Sequence, residues 1–250
     1  MIYYKSKREI EIMRKAGLIL AETRLELERH IKPGISTLEL DKIAHDFIIS
    51  KDAYPSFKDY EGFPGSICTS VNEVVVHGIP SKKVVLKDGD IISIDLGVQY
   101  QGYHADSAWT YPVGAVDPKI LKLLEVTKEA LFRGLEAVKP GNRVGDISYA
   151  IESFIKPHGY GIVKELAGHG IGRSLHEDPL ILNFGNPDTG ELLQEGMTIC
   201  IEPMINLGVA NIRLDKDGWT IRTLDKKPSA HFEHMVAITK DGYEILTPKL

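Results

Sequence analysis

Apolar residues recur at helical spacing in four stretches of this chain, and Val- and Ile-rich runs with strand character follow each pair of them. The first helical stretch opens with Ser6 and Glu9, a capping-box pair, ahead of Ile10, Met13, Gly17, Leu20, Leu27 and Ile31. The second opens with Ser36 and Glu39 and turns Leu40, Ile43 and Phe47 inward. Asp117-Pro118 supplies a cap and a first-turn proline to a third helix carrying Ile120, Leu124, Leu131, Leu135 and Val138. Val144, Ile147, Ile151 and Ile155 mark a fourth. Strands are expected at SICTSVNEVVVHG, DIISIDLG, YHADSAWTY, MTICIEPMI, WTIRT and HFEHMVAIT. Helices and hairpins in runs, without β-α-β alternation, predict an α+β fold with a mostly antiparallel central sheet. The Gly/Pro-rich stretch Asn183–Gly190 reads as a surface loop.

The two halves of the chain rhyme. Around Pro33 it reads HIKPGISTLELDKIAHDFI, and around Pro140 AVKPGNRVGDISYAIESFI. Pro33 to Gly89 and Pro140 to Gly196 are the same 56 residues, and each glycine opens a strand with an acid six positions on, Asp95 and Glu202. A duplicated α/β unit explains the matched spacing, with the two acids equivalent about a pseudo-two-fold axis. The expectation is one catalytic domain over 1–250, its halves roughly 1–115 and 116–250.

Charge and composition narrow the function. With 30 Lys and Arg against 35 Asp and Glu, the net charge of −5 argues against nucleic acid as the main partner. No apolar run of about 18 residues is present to span a membrane. The start, MIYYKSKREIEIMRKAG, has no apolar core of the signal-peptide kind. Cys68 and Cys200 have no metal-binding or redox spacing, which favours a reducing, cytoplasmic location.

The candidate chemistry lies in the acids. A tight turn at Tyr100-Gln101 would set Asp95 directly opposite Asp106, and like charges facing each other across a sheet call for a cation between them. His169, Glu202 and Glu233 come from other strand or strand-edge positions. Four carboxylates and one imidazole form a hard donor set suited to Mn²⁺, Fe²⁺, Co²⁺, Zn²⁺ or Mg²⁺. So many acids would neutralise two divalent ions, a pair about 3.5–4 Å apart that activates a shared water. His176-Glu177 and His231/His234 do not have HExxH spacing, and the glycines around His169 lack the frame of a nucleotide loop.

These residues fall in VNEVVVHGIP, IDLGVQYQGYHADSAWTY, LAGHGIGRSLHEDP, GMTICIEPMI, DGWT and SAHFEHMVAIT. The set resembles the type I methionine aminopeptidases, of the pita-bread (creatinase/aminopeptidase) fold, over essentially the whole chain. The resemblance implies that Asp106 and Glu233 bridge two ions, that Asp95 completes one shell, and that His169 with Glu202 completes the other. It implies catalytic roles for His77, His176 and Glu202, and a methionine pocket of Tyr60, Phe63, Cys68, Leu175 and Trp219 with the two histidines. A monovalent cation, Na⁺ or K⁺, would sit on main-chain oxygens near Asn72, Val74 and Ser229. The implied substrates are polypeptide N-termini beginning with methionine and a small second residue, nascent chains on ribosomes among them. The implied state is a monomer. Leu175, Phe57 and His231 depart from residues frequent in the family (an aromatic, a smaller residue and a glutamine), which bears on pocket shape and not on the chemistry.

Three other readings stay open. An X-Pro peptidase or creatinase-like hydrolase would keep the fold, but those relatives usually carry a large extra N-terminal domain. A non-catalytic pita-bread binding protein would have lost metal ligands. A two-metal phosphoesterase would want basic residues at the site, and the motifs offer few beyond Arg173.

Overall fold

In the computed structural model, which describes residues 1–250, the four helices form where the capping residues place them. Helix α1 (Lys7–Glu28) starts at Ser6, whose N–H donates to Glu9 Oε2 at 2.8 Å, and α2 (Thr37–Ser50) repeats the device with Ser36 and Glu39. Helix α1 ends three residues short of Ile31, because the N–H groups of His30 and Ile31 both turn back to Leu27 O. Helix α3 (Pro118–Glu136) is capped by Asp117, and Arg143 N–H donates to Asp146 Oδ2 at 2.7 Å as α4 (Val144–Ile155) begins.

Along the first half run β1 (Tyr54–Pro55), β2 (Cys68–Val71), β3 (Val74–Val76), β4 (Ile91–Tyr100) and β5 (Tyr103–Pro112). The second half carries β6 (Gly161–Ile162), β7 (Gly168–Gly170), β8 (Glu177–Ile181), β9 (Thr198–Ile201) and β10 (Met204–Asn206). It continues through β11 (Ile212–Leu214), β12 (Ile221–Thr223), β13 (Ser229–His231), β14 (His234–Thr239) and β15 (Gly242–Ile245). Every pairing is antiparallel. The strands form four ladders, not one: β1-β4-β2 with β5 on β4, β13-β10-β6, β11-β12-β3, and β15-β14-β9-β7-β8. The first and last of these meet through Glu233 N–H, which donates to Ala108 O at 2.8 Å. One core of 52 buried apolar residues, drawn from both halves, fills the space between helices and sheets.

Duplication is visible atom by atom. Gly34 N–H donates to Leu86 O, and Gly141 N–H to Leu193 O; Leu86 N–H donates to Ile35 O, and Leu193 N–H to Asn142 O. Each member of a pair lies 107 positions from its counterpart, the same offset that separates Asp95 from Glu202. Gly89 and Gly196, which lead into β4 and β9, share a left-handed φ of 91° and 89°.

Several strand boundaries differ from the sequence expectation. SICTSVNEVVVHG is two strands, broken at Asn72 (φ 52°). MTICIEPMI breaks at Glu202-Pro203, where proline has no N–H for a ladder, and HFEHMVAIT is interrupted at Phe232-Glu233. WTIRT shortens to Ile221–Thr223 because the Asp217 carboxylate accepts from the N–H groups of Trp219 and Thr220 and makes that stretch a turn. Asn183 is fully buried, not part of a surface loop, since its Nδ2 donates to Glu202 O at 3.1 Å.

Candidate active site

The β4–β5 hairpin turns at Gln101-Gly102, both with positive φ (48° and 80°), the geometry of a two-residue I′ turn. Asp95 is therefore opposite Ala108, and Asp106 opposite Gly97. The expected direct pairing of the two acids is displaced by one step of two residues. Side chains alternate with period two, so the displacement leaves both acids on one face as diagonal neighbours.

From the second half, β7 contributes His169, and Glu202 and Glu233 come from the breaks after β9 and β13. Ligand-competent atoms of Asp95, Asp106 and Glu233 lie within 4.8 Å of one another, as do those of His169, Cys200 and Glu233. Glu233 belongs to both groups. Glu202 belongs to neither group, yet its Oε1 is 3.6 Å from His169 Nε2, nearer than Asp106 Oδ2 at 3.9 Å. His169 Nδ1 donates to Gly170 O at 2.8 Å, which leaves the Nε2 lone pair facing the carboxylates.

These groups fit divalent cations on their own chemistry. Asp95 Oδ1, Asp106 Oδ1 and Glu233 Oε1 are buried acceptors with no hydrogen-bond partner. Leaving such oxygens unmatched costs free energy unless a positive group meets them. Burial first, and then the charge of neighbouring acids, pushes Asp106, Glu202 and Glu233 well above the usual carboxylate range. Burial also raises Asp95, with His231 pulling the other way. Burial lowers His169 to about 3, so its ring is neutral and available as a donor. Cys200 is the group that sequence spacing did not reveal. Its thiol, held protonated by burial, lies within 4.8 Å of a Glu233 oxygen, two residues before Glu202.

A cleft of about 640 Å³ opens onto these residues and is lined by every expected pocket residue: Tyr60, Phe63, Cys68, Leu175, Trp219, His77 and His176. Phe57, Leu166, Met204 and His231 also line it, and no Lys or Arg does. Arg173 is instead exposed, over the Tyr103 ring. Phe63 and Trp219 meet edge to face at 5.2 Å. His77 follows β3 in the left-handed region (φ 58°), a conformation uncommon outside glycine, and burial lowers it to about 4. His176 Nδ1 is 2.9 Å from Tyr60 Oη, and its ring is edge-on to His169 at 4.4 Å. Asn72 and Ser229 meet away from the cleft, Ser229 N–H donating to Asn72 O at 2.9 Å, with Val74 on the adjoining strand.

The sequence model of metallopeptidase family M24 matches residues 11–240, and the chain belongs to that family. It is 55% identical over 247 residues to methionine aminopeptidase 1 of Bacillus subtilis (strain 168), covering 99% of each chain. With the methionine aminopeptidase of Escherichia coli (strain K12) it shares 44% identity over 98% of this chain and 94% of the other. Among solved structures, the methionine aminopeptidase of Rickettsia prowazekii superposes with a TM-score of 0.97 at 46% identity, covering 99% of this chain and 100% of that one. The prolidase of Pyrococcus furiosus superposes at 0.81 with 28% identity, covering 98% of this chain but only 65% of the prolidase. The pita-bread fold is thus shared with both kinds of enzyme.

Proposed function

We infer that this chain is a methionyl aminopeptidase, a metallohydrolase that removes the N-terminal methionine of polypeptides. The observation that carries the reading is Glu233, common to two tight ligand groups that draw on both halves of the chain. Two divalent ions (Co²⁺, Mn²⁺, Fe²⁺ or Zn²⁺) would be held by Asp106 and Glu233 in common, one also by Asp95 and the other also by His169 and Glu202. When bound, such ions supply Lewis acidity and a water acidic enough to act as nucleophile near neutral pH.

With the ions bound, Glu202 would be held as the carboxylate, able to take the proton of the attacking water and return it to the departing amine. Tyr60 Oη lies 2.9 Å from His176 Nδ1; with Tyr60 as the donor, His176 carries its proton on Nε2 and can offer it as a hydrogen bond to the scissile carbonyl as that oxygen gains charge. Burial keeps His77 neutral, and from the Trp219 wall it can donate to the amide of the second residue. A cleft rich in acids and without Lys or Arg suits a free α-amino group, which restricts cleavage to chain ends and disfavours phosphate esters. Methionine sulfur gains modestly against the Phe63, Trp219 and Tyr60 rings, and the family resemblance adds a preference for a small second residue.

The same reading takes residues 1–250 as one catalytic domain acting as a cytoplasmic monomer on nascent N-termini. No helix is long and apolar enough to cross a membrane. It also places Na⁺ or K⁺ on carbonyls near Asn72, Val74 and Ser229, where the positive φ of Asn72 turns the backbone sharply. Release of methionine from Met-Ala-Ser, compared with Met-Leu-Ser, acetylated Met-Ala-Ser, Ala-Pro-Ser and a phosphate ester, tests the function. Only the first is expected to turn over appreciably. Cleavage of Ala-Pro-Ser or of the ester in place of Met-Ala-Ser would refute it.

A further inference from the structure

Two imidazoles flank the Glu202 carboxylate, one at each oxygen. His169 Nε2 is 3.6 Å from Oε1, and His231 Nε2 is 3.4 Å from Oε2. The two nitrogens are not equivalent. Because His169 gives its ring proton to Gly170 O, its Nε2 presents a lone pair, and a lone pair facing a carboxylate needs a cation between them. His231 gives its ring proton to nothing: neither Nδ1 nor Nε2 has a hydrogen-bond partner, and the residue is 1% exposed. Its backbone, by contrast, is pinned. Thr110 Oγ1 accepts from His231 N–H at 3.0 Å and donates to His231 O at 2.8 Å, which uses the only hydroxyl proton of Thr110 and makes Ser93 the donor in the 2.8 Å Ser93–Thr110 contact. A backbone pinned in this way, two residues before Glu233, fixes the point from which the ring enters the cleft.

We propose that His231 is a positioning residue for Glu202: its Nε2–H donates to Oε2, holding that oxygen aside so that Oε1 is the one turned toward His169 and the ion site. This rests on the aminopeptidase reading and assigns a role to a residue that the ligand set does not include. A buried donor left unmatched costs about 1–3 kcal/mol, and the Glu202 oxygen is the acceptor within reach. Orientation of a ligand by a hydrogen-bond partner of this kind typically governs about 10–100-fold in metal affinity or activity.

The test compares His231→Leu, which keeps bulk and loses the donor, with His231→Gln, which restores an N–H, each verified as folded by near-ultraviolet circular dichroism. In H231L, Mn²⁺ titrated calorimetrically into metal-free protein should bind about 10-fold more weakly. Its kcat on Met-Ala-Ser should fall about 10–100-fold with KM within about twofold, and H231Q should recover most of both losses. Wild-type affinity and kcat in H231L would overturn the proposal, as would failure of H231Q to rescue. So would a change confined to preference between Met-Ala-Ser and Met-Val-Ser, which would make His231 a pocket wall. Calorimetry needs no substrate, so a failed peptidase reading and a failed role for His231 give different results.

Discussion

Asp95 and Asp106 lie diagonally across the β4–β5 hairpin, Asp95 opposite Ala108 and Asp106 opposite Gly97, with their carboxylates and that of Glu233 within one 4.8 Å cluster. Removing the charge of Asp106 takes away a donor shared by the cluster without changing side-chain size. Asp106→Asn is expected to lose metal on dialysis and to lower kcat by more than the ~100-fold typical of second-layer partners. Metal analysis of the dialysed variant beside wild type checks this. Full retention of two ions per chain would remove Asp106 from the ligand set.

His176 and Tyr60 pair at 2.9 Å and belong to neither ligand group, while the His176 ring packs edge-on against His169. His176→Ala should reduce kcat by about 10²–10³, the usual cost of one donor to a developing oxyanion, with metal content unchanged. Tyr60→Phe should show a smaller loss in the same direction, because the Nδ1 partner goes while Nε2 stays. Near-normal turnover in H176A, measured at saturating Met-Ala-Ser, would assign the carbonyl contact elsewhere.

Acids raised by burial make stability depend on pH in a direction that metal reverses. Glu202 and Glu233 hold protons more tightly in the fold than at their ordinary value of 4.5. In metal-free protein their contribution is therefore full below that value and is lost as pH climbs through the raised folded values. Bound divalent ions favour the deprotonated carboxylates, so they stabilise most at high pH. Melting temperatures at pH 5 and pH 8, with chelator and with Mn²⁺, should show the gain from Mn²⁺ growing with pH. A gain independent of pH would contradict the burial of these acids.

Lys5 Nζ and Glu177 Oε2 form a 2.6 Å ion pair with side chains only 6% and 7% exposed, next to His176 in sequence. Lys5→Met leaves the Glu177 carboxylate buried with no cation and only the Ser174 N–H, 3.2 Å from Oε1, and should cost up to about 3–5 kcal/mol in urea unfolding. Replacing both, Lys5→Met with Glu177→Leu, should restore much of that loss. A single variant as stable as wild type would mean that water reaches the pair.

Three of the four helices were legible from their starts at Ser6, Ser36 and Asp117, and the fourth from the apolar spacing of Val144, Ile147, Ile151 and Ile155 alone. The hairpin register was not. Gly102 supplies one of the two positive φ angles that an I′ turn demands, and weighing that glycine would have moved the turn from Tyr100-Gln101 to Gln101-Gly102. Asp95 and Asp106 stayed together only because an even displacement preserves the face. Cys200 and His231 were in view but without a role beside the acids: Cys200 has no partner motif, and His231 was read only as a departure bearing on pocket shape, yet each lies two positions from an acid of the cluster. The breaks that free Glu202 and Glu233 were half visible, in Pro203 but in nothing around Phe232.

The shared carboxylate of Glu233 has a consequence for how the enzyme comes into being. Acids from positions 95 and 106 wait through more than a hundred further residues for their last companion, which arrives on a strand break tied to Ala108 by one hydrogen bond. A ribosome that has made only the first half of this protein holds no catalyst. Competence appears late in synthesis and all at once, when the second half docks on the first.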